Sequence, residues 1–160
     1  MPDLPGAQAP PAAAMSPRRL GALLVLAMPL AGCGVISGPG LGDILAARAV
    51  WRAKGLHDYA YDYRVDGFFI GYDGRTIHLV VRADSVVSAT YRDTGDPLPG
   101  PAGYLPTVDR LFERAILALG GDGLRSISFD PGFGYPRFMQ LDGPPDAGGT
   151  VTASGLQPLP

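Results

Sequence analysis

Cysteine is almost absent from this sequence: Cys33 is the only one in 160 residues. A single thiol excludes an intramolecular disulfide and any cysteine metal cluster. Histidine is scarce too. His57 and His78 stand apart from any sequence-local group of cysteines or carboxylates with ligand spacing, so a metal site using both could arise only by folding. No Gly-x-Ser-x-Gly or Ser-x-x-Lys occurs, and the glycine-rich stretches lack the lysine of a phosphate loop. With 13 basic against 15 acidic side chains and a net charge of −2, there is no basic surplus to attract nucleic acid. No apolar run reaches the ~20 residues that cross a bilayer as a helix. What the chain has in excess is glycine (23) and proline (17), much of it in the first forty residues and after Gly143.

From Met15 the sequence reads MSPRRLGALLVLAMPLAGC. Arg18 and Arg19 form a positive n-region, Leu20 to Leu30 an apolar stretch, and Leu30-Ala31-Gly32-Cys33 the end. The apolar stretch has the length of a signal-peptide h-region. LAGC resembles the lipobox of bacterial lipoproteins. That resemblance implies diacylglyceryl transfer to the Cys33 thiol and cleavage that makes Cys33 the new N-terminus. Acyl chains contribute ~0.8 kcal/mol per buried CH₂, so two or three of them hold a protein at a membrane. Residues 1–14 are Pro/Ala-rich and read as a disordered extension upstream of a cleaner start at Met15. Arg18-Arg19 invites a twin-arginine reading, but its surroundings fit that motif poorly and the general secretory route is preferred. Gly34 rather than Asp after the cysteine resembles the default for outer-membrane sorting in a diderm host. The expected organisation is therefore 15–32 signal peptide, 33–42 lipidated cysteine and flexible tether, and 43–157 a single domain facing the periplasm.

Within the domain, Asp43 is placed as the cap of a short helix with Ile44, Ala47 and Trp51 on one side and Gly55 as its C′ residue. The period then becomes two. Tyr59, Tyr61, Tyr63 and Val65 alternate with polar residues over 58–66. After the turn signal Tyr72-Asp73-Gly74, Thr76 to Arg82 sets Ile77, Leu79 and Val81 on one face, and Asp84-Ser85 turns into a third strand, Val86 to Arg92, in which Val87, Ala89 and Tyr91 alternate with Val86, Ser88 and Thr90. Residues 93–106 carry four prolines and three glycines and form a loop. Thr107 caps a second helix whose apolar residues Val108, Leu111, Phe112, Ala115, Ile116 and Leu119 repeat with helical period, ended by Gly120-Gly121. Leu124 to Asp130 and Tyr135 to Asp142 form a hairpin about Pro131-Gly132-Phe133-Gly134, where Gly134 marks a positive φ or a close approach and Tyr135-Pro136 an edge strand. Thr150 to Leu156 adds a short edge strand. The fold class is α+β: an antiparallel sheet of about five to six strands with two helices packed on one face, in the order α-βββ-α-βββ.

The alternating Tyr59, Tyr61 and Tyr63 are the candidate binding face, since tyrosine in alternate positions can form an exposed aromatic platform. The competing reading packs this face on the helix carrying Leu111, Phe112 and Ile116, with the hydroxyls at the sheet margin, and is preferred. The carboxylate pairs Asp58/Asp62, Asp62/Asp66 and Asp142/Asp146 read as solvated surface.

Four features together resemble the DUF6174 family of bacterial lipoproteins, a domain of unknown function. They are the lipobox at Cys33, Tyr59-x-Tyr61-x-Tyr63, Thr107-Val-Asp-Arg-Leu-Phe112, and Phe129-Asp-Pro-Gly-Phe-Gly-Tyr-Pro136 with a downstream Asp142. Members often carry closely spaced cysteines after the first strand; here that segment is Gly67-Phe68-Phe69-Ile70-Gly71, so no cysteine role carries over. The resemblance implies localisation and fold, and no activity. The resulting expectation is a membrane-anchored, non-enzymatic binding or envelope-assembly module with no cofactor and an envelope protein as candidate partner. The alternative is an enzyme whose site is assembled by the fold, for example from Asp142 with His57 or His78.

Overall fold

The computed structural model describes residues 40–67, 74–121, 123–143 and 148–160. The chain divides into two units, Met1–Cys33 and Gly34–Pro160, and every described residue belongs to the second. The expected signal peptide, Cys33, most of the expected tether and the Phe68-Phe69-Ile70-Gly71 segment lie outside the described residues.

The order is α1 (Leu41–Ala53), β1 (Tyr59–Gly67), β2 (Ile77–Arg82), β3 (Ser85–Tyr91), α2 (Val108–Gly120), β4 (Leu124–Phe129), β5 (Pro136–Leu141) and β6 (Gly149–Pro158), with a 3-10 turn at Ala102–Tyr104. The strands form one antiparallel sheet in the order β3-β2-β1-β6-β5-β4. One core joins the two helices to the inner face, with Ile44 and Trp51 from α1, Leu111 and Phe112 from α2, and Ile77, Leu79, Met139 and Val151 from the strands. The expected α+β class and element order hold.

Local boundaries differ where backbone groups had to be satisfied. Gly40, not Asp43, is the N-cap of α1; Asp43 sits one turn in and its carboxylate accepts the Gly40 N–H at 3.3 Å. An acid in the first turn also complements the helix dipole. Residues 40–42 therefore belong to the domain rather than to the tether. Gly55, at φ +61, is the left-handed residue just past α1. Thr107 caps α2 as expected, accepting the Arg110 N–H at 3.4 Å.

Three strand expectations are corrected. β3 does not alternate cleanly, because its register with β2 slips between Val80 and Val81; the extra residue is Val87, which is 56% exposed while Val86 and Ala89 both face the core. Pro136 opens an interior strand, not an edge. As the first residue of β5, its missing N–H costs no ladder bond. The last strand is central rather than a short edge: β6 joins the free side of the β1-β2-β3 meander to the free side of the β4-β5 hairpin. Val151 and Ala153 point inward; Gly155, at φ +63, then inserts an extra residue opposite Tyr61, which returns Leu156 to the core. Gly134, at φ +81, lies against α1, where a Cβ would come within 2.7 Å of the Ala47 carbonyl oxygen.

Candidate functional site

The tyrosine face is core. Tyr59, Tyr61 and Tyr63 are 1%, 0% and 2% exposed, so the candidate binding face is withdrawn in favour of packing beneath α2. Trp51 meets Tyr59 edge-on, with ring centroids 5.2 Å apart. Each hydroxyl then needs a partner away from water. Tyr59 accepts the Val108 N–H at 3.0 Å, Tyr61 donates to the Pro106 carbonyl, and Arg114 donates to the Tyr63 hydroxyl at 3.4 Å. The stripe thus holds the junction where the proline-rich loop becomes α2. Burial, opposed in part by the Val108 hydrogen bond, pushes the Tyr59 hydroxyl up to about 12, and burial raises Tyr61 as well.

The opposite face of the same strands is charged. The β1–β2 register sets Asp62 opposite His78, and the Asp62 carboxylate meets His78 Nδ1 at 2.8 Å and Arg92 Nε at 3.3 Å. Asp58 lies 3.5 Å from Arg82 and accepts the Ala83 N–H at 2.8 Å, supporting the Ala83-Asp84 turn, whose residues both have positive φ. Arg64 holds the Asp66 carboxyl below its ordinary range through a two-point hydrogen bond, and Arg75 does the same for Asp93. His57, at the helix-to-strand corner, pairs with Asp84 at 2.8 Å.

The histidines and Asp142 are not brought together. Asp142 pairs with Arg125, beside the end of the sheet where Leu141 meets Gly149. His57 precedes β1 at the opposite end, where Tyr59 meets Pro158. His78 is three strand positions from β5, roughly 14 Å at ~4.8 Å per strand. Among the described residues, no group of three or more His, Cys, Asp or Glu side chains is placed to hold a metal ion. Asp146 lies outside the described residues.

Two concave features flank α2. A cleft of about 420 Å³ lies at its N-terminal end, lined by Trp51, Arg52, His57, Asp84, Thr107 and Arg110 among others. A groove of about 520 Å³ runs along its outer side past Arg110, Arg114, Leu117, Leu141 and Asp142. The helices are locked together by Asp109, which accepts from Trp51 Nε1 at 3.1 Å and Arg48 Nη2 at 3.2 Å. Sequence reasoning did not find this knot; its members lie about sixty positions apart on two helices with no local motif.

An antiparallel six-stranded sheet carrying two helices on one face places this protein in the α+β class by architecture. The chain belongs to a family of unknown function (DUF6174), whose sequence model matches residues 43–158, from the first turn of α1 to the end of β6. No curated protein and no solved structure matches it.

Proposed function

We propose that this protein is an exported lipoprotein, anchored by acyl chains on Cys33, whose domain is a non-enzymatic binding or assembly module of the cell envelope facing the periplasm. One observation carries the reading: Arg18-Arg19, the Leu20 to Leu30 stretch and the Leu30-Ala31-Gly32-Cys33 end precede, in that order, a domain whose first helix is capped at Gly40. The only thiol of the chain stands where acylation would consume it. The anchor makes the membrane one partner; the other is an envelope protein. Support for binding over turnover comes from His57, His78 and Asp142, the groups weighed for a catalytic site, which sit at separate places in the fold, each joined to a side chain of opposite or complementary charge.

The test is Cys33→Ser in cells grown with labelled palmitate and then fractionated. Wild type is expected to carry label and to sediment with membranes, the variant to do neither; identical behaviour overturns the anchor. Affinity capture of the wild-type protein from detergent-solubilised envelope, with the Cys33→Ser protein as control, tests the binding role. Failure to retain any envelope protein specifically, or a measured turnover that maps to the domain, counts against it.

A further inference from the structure

The outer stripe of α1 is not explained by the fold. Leu41, Leu45, Arg48 and Arg52 follow one another at spacings of four, three and four, a single row of helical period. Leu41 and Leu45 are 48% and 49% exposed, although Ile44 beside them is fully buried. The row then turns basic: Arg48 is largely taken up by Asp109 and Glu113, whereas the Arg52 side chain stays mostly exposed, 3.9 Å from Asp109. Arg48 reaches both Asp109 and Glu113 while Arg52 reaches Asp109, so across this contact the chain direction of α2 opposes that of α1. Leu117, 77% exposed, lies four residues beyond Glu113 in the C-terminal half of α2.

We infer that this leucine-led end of the helix layer rests on the bilayer surface, Leu41 and Leu45 entering the headgroup boundary and Arg52 facing anionic headgroups. The inference rests on the lipid-anchor reading. Two arguments choose the occupant. Cys33 is seven residues before Gly40, a reach of at most roughly 25 Å even fully extended, so acyl chains at Cys33 keep the start of α1 within that distance of the membrane. Half-exposed leucines and an exposed arginine on one helix supply the two contributions to interfacial binding, buried apolar area and attraction to anionic lipid. With the domain already tethered, its local concentration at the surface is high and even weak contacts are occupied.

The experiment uses the full, acylated protein. Because acylation occupies the only native thiol, cysteines introduced by L45C, L117C and V87C can be labelled singly with an environment-sensitive fluorophore. Val87 is exposed on the edge strand β3. After reconstitution into vesicles of phosphatidylethanolamine and phosphatidylglycerol, the L45C and L117C probes are expected to shift to the blue, with several-fold stronger quenching by lipid-borne nitroxide than the V87C probe. Equal quenching at all three positions overturns the inference. L41E/L45E, both at exposed positions, is expected to lower L117C quenching to the V87C level with melting temperature unchanged; undiminished quenching also overturns it. The mass of the N-terminal peptide distinguishes the two failures: without acylation the anchor reading falls and takes this inference with it, whereas acylation without differential quenching removes only the surface contact.

Discussion

Strand β1 carries two surfaces of opposite character. On its inner side Tyr59, Tyr61, Tyr63 and Val65 are buried, and the tyrosine hydroxyls are tied to the loop and helix above them. On its outer side Asp62, Arg64 and Asp66 stand in a row of ion pairs with the helix-free face of the sheet around them. The difference teaches where stability resides. An inner polar atom has no water to fall back on, so losing its partner costs ~1–3 kcal/mol, on top of what ring burial provides. An outer pair exchanges one well-solvated arrangement for another and contributes ~0–1 kcal/mol.

The largest effect should come from the middle of the inner face. Tyr61→Ala removes a ring with no exposure and is expected to cost about 3–5 kcal/mol, a large part of a small domain's stability. Urea unfolding followed by the fluorescence of Trp51, the only tryptophan and a neighbour of Tyr59, measures it. A cost near that of an outer-face substitution would abolish the contrast. Next comes Gly134→Ala. The left-handed backbone alone costs a β-carbon about 1–2 kcal/mol, and here the new carbon also meets the Ala47 carbonyl and the Val50 side chain. Gly95, at φ +78 with open space around it, is the internal control: Gly95→Ala should show the backbone cost without the clash. Equal losses at the two sites would mean that α1 yields where the hairpin turn touches it.

Much of this contrast was legible in the residues. Period two over 59–65 and helical period over 108–119 mark the inner faces of β1 and α2, because side-chain direction follows directly from backbone repeat. Thr107, Gly55 and Gly134 were readable as well, since each meets a local backbone need. Strand order was not. β6 pairs with β1 across some ninety residues, and nothing near Val151 records that its neighbours are Val65 and Met139 rather than solvent. The bulges at Val87 and Gly155 were invisible for the same reason, as a bulge exists only relative to a partner. The outer-face ladder was half legible: Asp62 and His78 were each noticed, and their pairing needed only the β1–β2 register, which the intervening segment concealed. The Asp109 knot had no local sign at all.

A third substitution separates hydroxyl from ring on the inner face. Tyr59→Phe keeps the packing and leaves the Val108 N–H without its acceptor, for an expected loss of about 1–2 kcal/mol at neutral pH. Its pH dependence is distinctive. The Tyr59 hydroxyl is raised to about 12 in the folded protein against an ordinary value of 10.0, so the unfolded chain gives up this proton first. The protonated hydroxyl therefore contributes its full stability below pH 10, and that contribution disappears as pH rises from 10 through about 12, on the order of 2–3 kcal/mol across the window. Wild type should lose melting temperature there in step with phenolate absorbance, and Tyr59→Phe should show a shallower loss, the remainder coming from Tyr61 and Tyr135, which burial also raises. Parallel slopes for the two proteins would show that Tyr59 does not link folding to alkaline pH.

The smallest effect belongs to Asp62, and it is the sharpest test of the outer face. Its side chain is only 18% exposed and its two oxygens hold His78 and Arg92, so it is the most enclosed carboxylate of the ladder. Asp62→Asn removes the charge and keeps an oxygen that can accept from the His78 ring. If the ladder is solvated surface chemistry, the variant loses less than about 1 kcal/mol, and the difference from wild type shrinks as salt screens the pair. A loss comparable with that of Tyr61→Ala, insensitive to salt, would instead mean that Asp62, His78 and Arg92 act as one desolvated unit. The helix-free face would then carry a polar core of its own, and the division of labour between the two sides of β1 would have to be redrawn around it.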